Sequence, residues 1–198
     1  MKRDELNVLA DNYYSVMDIP EEKKEKRKAD AWELFDLFML FFMWFEEAED
    51  KGVSDTSYFL PRFQNELQDV ISGITFIDDY LITYIATLAL GIYTTTQAHK
   101  GEKYYLSEDR AVNLALNESL SINNHLDLKQ AKKDGYALKR WCTELDDKVR
   151  PTHAVMEGET IPIDDYFIFP DCKGLFPHDV VNMTPEETSS CRCWLEYK

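Results

Sequence analysis

The stretch Gly135–Phe169, GYALKRWCTELDDKVRPTHAVMEGETIPIDDYFIF, decides the fold, because the character of the chain changes where it begins. Upstream, apolar residues recur at helical spacing. From Gly135 onward proline, cysteine and aromatic residues rise, and apolar runs shorten to strand length, as in Ala137–Cys142, Asp165–Phe169 and Cys191–Tyr197. The expected class is α+β: a mainly helical N-terminal part followed by a small α+β domain with short antiparallel strands. Residues 1–104 are assigned to the helical domain and 105–198 to the second. A helix over 107–122 joins it to the helical part, and the compact portion covers 136–198.

Working back from Gly135, Gly135 closes a short helix expected over Asp127–Lys133. Ser107 is placed to cap a helix whose first turn carries Glu108 and Asp109, and Asn123-Asn124 is read as its end. Before that, a helical stretch starts near Pro61 and runs through Phe63, Leu67, Val70, Ile74, Leu81, Ile85, Leu88 and Ile92 to a stop at Gly101, with a kink expected at Gly73. Asp78-Asp79 sits awkwardly in this run, since one of the two must approach the packed face. A helix from Glu21 to Asp50 is apolar on nearly every side between Ala31 and Phe45, which implies burial on more than one face. Leu6, Leu9, Tyr13 and Met17 step by three and four residues, and Pro20 ends that first segment.

A formal net charge of -15 over 198 residues argues against nucleic-acid binding through a general field, so any DNA contact must be local. The basic cluster Lys23-Lys24-Glu25-Lys26-Arg27-Lys28 is interleaved with acid and reads as a solvated helix face. Leu34–Phe45 is short and holds Asp36, and Val70–Ile92 is broken by Asp78-Asp79, whereas a bilayer span needs about 20 uninterrupted apolar residues. No membrane segment is expected. The opening MKRDELNVLADNYY carries acid where an export signal needs a continuous apolar core, so the four cysteines are expected as reduced thiols.

Read as a set, Glu108 and Asn113 on the joining helix, then Trp141, Asp146, Arg150, His153, Gly158, Phe167 and Pro177, and the closing Cys191-Arg192-Cys193, resemble the C-terminal domain of phage minor head proteins of the Mu protein F-like family. The agreement in order and spacing covers roughly ninety residues, more specific than a single short motif. The resemblance implies a minor head (minor capsid) protein acting in head morphogenesis, present in few copies at the portal vertex or inside the head. The implied partners are a portal, scaffold or major capsid protein, and the implied location is the virion or the host-cell cytoplasm. The helices before Tyr104 carry no such resemblance.

The residues themselves leave several chemical readings open. Arg150 and His153 stand three apart and share a face of a short turn, where the guanidinium is expected to fork onto Asp146 or Asp147. Cys191-x-Cys193 on an extended strand sends both thiols to one side. His153 and Cys172 would complete a tetrahedral zinc site with them. The alternative is that Cys191 and Cys193 are buried small hydrophobes and His153 bonds a backbone carbonyl. Cys142 would face away from Trp141 across its strand. No glycine-rich phosphate loop, Gly-x-Ser-x-Gly elbow or His-Glu-x-x-His occurs, so no catalytic residue or organic cofactor site is assigned. A Cys/His hydrolase and a prophage-derived domain reused in a toxin or immunity setting stand as the other readings.

Overall fold

A computed structural model describes the backbone of residues 3–198 and the side chains of residues 6–198. Met1 and Lys2 of the expected helical domain lie outside the described residues. The elements run α1 (Arg3–Ser15), α2 (Glu21–Asp50), α3 (Phe59–Ile74), α4 (Asp79–Ala98), a 3-10 turn over Lys103–Leu106, α5 (Glu108–Lys133), β1 (Leu138–Cys142), α6 (Pro151–Ala154), β2 (Thr160–Pro162), β3 (Phe167–Ile168), β4 (Lys173–Gly174), α7 (Pro185–Thr188) and β5 (Trp194–Tyr197). This is the α+β class read from the sequence. No described helix is long and apolar enough to cross a membrane.

Among the described residues the chain divides into two compact units: Ala29–Ala115, and residues 3–28 together with Leu116–Lys198. The polypeptide of α2 and of α5 passes from one unit to the other. Residues 105–115 therefore fall in the first unit, and α1 with the first turns of α2 falls in the second.

In the first unit the aromatic run of α2 is buried, with Phe38, Phe41, Phe42 and Phe45 all nearly inaccessible. Phe41 stacks on Phe63 of α3 at 4.1 Å between ring centroids, and Phe45 meets Phe59 of α3 at 5.1 Å and Tyr93 of α4 at 5.9 Å. Such pairs contribute about 0.5–1.5 kcal/mol each beyond the area they bury. The stretch expected as one helix through Gly73 is two helices. Asp78 is extended and its carboxylate accepts from the Leu81 amide at 3.0 Å, so the acidic pair starts α4 instead of entering a packed face. Within α5, Ser107 caps as expected, its hydroxyl accepting from the Arg110 amide at 3.2 Å.

In the second unit α5 continues through Asn123-Asn124 to Lys133, where two helices were expected. The asparagines do not end the helix because their side chains have other partners: Asn123 donates to the Ser119 carbonyl at 3.0 Å and Asn124 to the Pro177 carbonyl at 2.8 Å. In the basic cluster Lys23, Glu25 and Lys26 are exposed, as a solvated face requires, and Arg27 is the buried exception. Arg27 is 1% exposed and donates to Asn124 at 3.1 Å and Asp127 at 3.0 Å, while Lys23 pairs with Asp127 and Lys28 with Asp11 and Glu25.

A three-stranded antiparallel sheet in the order β2-β1-β5 follows, with Arg140 opposite Thr160 and Trp141 opposite Leu195. Backbone pairing extends past the strand ends, since Gly158 donates to the Trp141 carbonyl and Trp141 to that of Glu159, both at 2.9 Å. Gly158 makes this turn at φ +79°, a conformation glycine adopts without steric cost. The β3-β4 hairpin pairs Phe167 with Gly174. Together these elements enclose a core of Trp141, Met156, Phe167, Phe169, Met183, Cys191 and Cys193.

Candidate functional site

Trp141 on the central strand organises the small domain's polar cluster. Its ring meets Phe167 at 5.0 Å, Phe169 at 5.4 Å and the His153 imidazole at 5.4 Å. His153 sits in α6, a single turn that Pro151 can open because its missing N–H is not needed in the first turn. Its Nδ1 lies 3.4 Å from the Cys191 sulfur and 3.4 Å from the Cys193 sulfur. All three residues are buried, and their donor atoms lie within 4.8 Å of one another. Cys191 and Cys193 were expected on a strand. They lie in the irregular segment just before β5, and the chain path still brings both sulfurs to one imidazole.

Cys172, the fourth ligand expected from the sequence, is not part of this group. Its carbonyl accepts from the Phe169 amide at 2.9 Å in the β3-β4 turn, and the half-buried residue packs on the edge of the core. Cys142 is buried, and burial pushes its thiol up to about 11. Arg150 does not fork onto Asp146 or Asp147, because its guanidinium donates instead to the Ser189 carbonyl. Arg192 takes that role: its Nη2 lies 2.8 and 2.7 Å from the two Asp146 oxygens. Glu108 and Asn113 belong to the first compact unit, Glu108 in the first turn of α5 and Asn113 exposed on the same helix. Pro177 is buried and holds Asn124 through its carbonyl.

Three further residues shape the site without having been singled out in the sequence. Glu187 in α7 places Oε2 3.0 Å from His153 Nε2, and the Thr152 hydroxyl donates to that same oxygen at 2.8 Å. The approach is a close charge contact without hydrogen-bond geometry, and Nε2 has no hydrogen-bond partner among the described residues. His178 Nε2 lies 2.9 Å from the Cys191 carbonyl, which also accepts from the Tyr13 hydroxyl of α1 at 2.9 Å. Burial lowers the His178 pKa, so a neutral imidazole donates there. Glu144, just after β1, lines a small cavity of about 10 Å³ with Arg150, His153, Cys191 and Cys193, and its Oε1 is buried without a hydrogen-bond partner. Burial raises the Glu144 pKa. No short-range spacing links these three residues to the cysteines; the neighbouring turns bring them in.

The two thiols do not behave alike. Burial opposes ionisation of Cys191, but hydrogen bonds from Cys193 and His153 outweigh it and hold that thiol well below its ordinary range. The shared proton with Cys191, with burial added, pushes Cys193 far up.

The backbone around this cluster is unusual. Among the described residues the non-glycine positions with positive φ are Leu145 at 57°, His178 at 66° and Ser190 at 55°. Leu145 follows Glu144, Ser190 precedes Cys191, and His178 holds the Cys191 carbonyl. Such conformations cost about 1–3 kcal/mol each, so the surrounding contacts must hold them in place.

Fold and cluster together describe a small antiparallel domain closed by a Cys-Arg-Cys segment against a Trp-bearing central strand. The sequence model of the family described as Phage Mu protein F like protein matches residues 83–196, more than half of the chain, and the chain belongs to that family. The family is one of phage head proteins, with minor head proteins acting in head morphogenesis among its roles. No curated protein and no solved structure matches the chain.

Proposed function

We propose that the protein is a minor head protein that acts in head morphogenesis by binding a portal, scaffold or major capsid protein, and that it resides in the virion. The observation that supports this reading is the family match over residues 83–196, which spans most of α4, all of α5 and nearly the whole small domain, and so begins upstream of Tyr104, where the sequence alone showed no resemblance. The partner is a protein and not DNA, because a net charge of -15 opposes a phosphate backbone and the basic residues near Lys23 are paired internally.

The contact falls on the end of α3 and start of α4. There Phe76 is 84% exposed and Ile82 59% exposed, beside a cavity of about 520 Å³ also lined by Ile77 and Ile85. An exposed aromatic next to an apolar cavity is the kind of anchor that dominates protein interfaces. Co-expression with the portal, scaffold and major capsid proteins of the same phage, followed by size-exclusion chromatography, tests it. Co-elution with one of them, weakened at least tenfold by Phe76→Asp, is the expected result. Separate elution from all three, with the protein missing from purified particles at every stage of assembly, overturns it.

A further inference from the structure

We propose that His153, Cys191 and Cys193 bind a zinc ion, with the Glu144 carboxylate closing the fourth position. Tetrahedral zinc with one nitrogen and two sulfur ligands at ordinary bond lengths requires N···S separations of about 3.6 Å. The structure has 3.4 Å from His153 Nδ1 to each sulfur, so little movement is needed to seat the ion. The outer groups are also in position. Glu187 lies 3.0 Å from His153 Nε2, where a carboxylate–imidazole–metal arrangement places the group that orients the ring. Tyr13 and His178 both hold the carbonyl of Cys191, restraining that sulfur's backbone without contacting the ion's position.

The Glu144 carboxylate lies outside the group of donor atoms within 4.8 Å of one another, so it must move in to reach the ion, and the cavity it shares with the three ligands sets the path. At about 10 Å³ the cavity admits about one water-sized occupant, and Glu144, with an unpartnered buried oxygen, faces it alongside the three ligands. Two thiolates, one carboxylate and a neutral imidazole around a divalent ion leave one negative charge. Arg150 and Arg192 line the same cavity and offset it. The ion would tie together the segment after β1, helix α6 and the approach to β5, which are otherwise joined by few backbone hydrogen bonds. Left-handed residues beside Glu144 and Cys191 have a reason on this assignment, since they aim ligands that local backbone preference alone would not aim.

The test uses the full chain without a histidine tag, reconstituted with zinc alone, desalted and measured by elemental analysis, with cobalt substitution as an optical readout. Close to one zinc per chain is expected, with thiolate-to-cobalt charge-transfer absorption and a fall in Tm of roughly 10 °C on chelation. Cys191→Ser and Cys193→Ser should lose the absorption, Cys172→Ser should keep it, and Glu144→Gln should weaken zinc at least tenfold. Wild-type protein that takes up less than about a tenth of an equivalent and shows no cobalt–thiolate absorption overturns the site. Loss of zinc in Cys172→Ser, or unchanged affinity in Glu144→Gln, overturns the assigned fourth ligand. The cobalt spectrum of the wild type decides the question even where a variant fails to fold, and it is independent of any binding to a head protein.

Discussion

Lys139 is fully buried on β1, where its ammonium donates to the Leu175 carbonyl at 2.8 Å and lies over the Phe167 ring. Burial lowers its pKa from 10.5 to about 8. Below about pH 8 both folded and unfolded chains hold this proton, and the cost of burying the charge is fully present. Between about 8 and 10.5 the unfolded chain binds more protons than the folded one, so this residue's contribution to stability rises with pH across that window. Lys139→Met removes the titrating group. Its denaturant midpoint should exceed wild type at pH 7, with the gap closing toward pH 10; a constant gap counts against the burial cost. At Ser190, φ 55° is a conformation that glycine adopts freely. Ser190→Gly should therefore stabilise metal-free protein by about 1 kcal/mol in urea unfolding. Residue chemistry was only partly legible in the sequence. His153, Cys191 and Cys193 were found because their side-chain types restrict the options, and Cys172 was grouped with them for the same reason. Its place in the β3-β4 turn, the exchange of Arg150 for Arg192 on Asp146, and the roles of Glu144, His178 and Glu187 depend on how loops return, which periodicity does not encode.

At the scale of elements, α2 was readable to its ends because its apolar density and the flanking Pro20 and Gly52 agree. Breaks were harder. Asp78 is a helix start whose signal was hidden inside an apolar run, and Asn123-Asn124 is a false stop, because tertiary partners take up the side-chain amides that otherwise compete with the helix. Asp78→Ala should cost about 1 kcal/mol, the usual loss for an N-cap carboxylate, measured as a shift in urea midpoint. Arg27 joins the start of α2 to α5: its guanidinium holds Asn124 and Asp127, and its carbonyl accepts from the Ser119 hydroxyl at 2.6 Å. Arg27→Met fills similar space but leaves two acceptors short of a donor. A loss of about 2–3 kcal/mol is expected, more than exposed ion pairs contribute. A loss under about 0.5 kcal/mol would mean that Arg27 contributes no more than the exposed members of the basic cluster.

For the molecule as a whole, 37 acidic residues against 22 basic ones leave an excess that the internal pairs do not cancel. Two effects of salt then compete. Screening weakens attractive surface pairs such as Lys132–Asp164, each worth at most about 1 kcal/mol when exposed, and it also weakens the long-range repulsion among the surplus carboxylates. The Debye length falls from about 30 Å at 0.01 M salt to about 3 Å at 1 M, so the long-range repulsion is removed first and the close pairs are affected last. Tm should therefore rise with sodium chloride up to about 0.1 M, where the Debye length is about 10 Å, and change little beyond. The same surplus predicts no shift of duplex DNA in a gel at about 0.1 M salt, since a protein that releases few counterions gains little from the phosphate backbone. Binding to a head-assembly partner through the apolar end of α3 and α4 should persist at that salt concentration. A Tm that falls steadily with salt would mean that close pairs dominate. A DNA shift would place a local basic surface on the molecule that outweighs the net charge, and would return DNA to the set of partners.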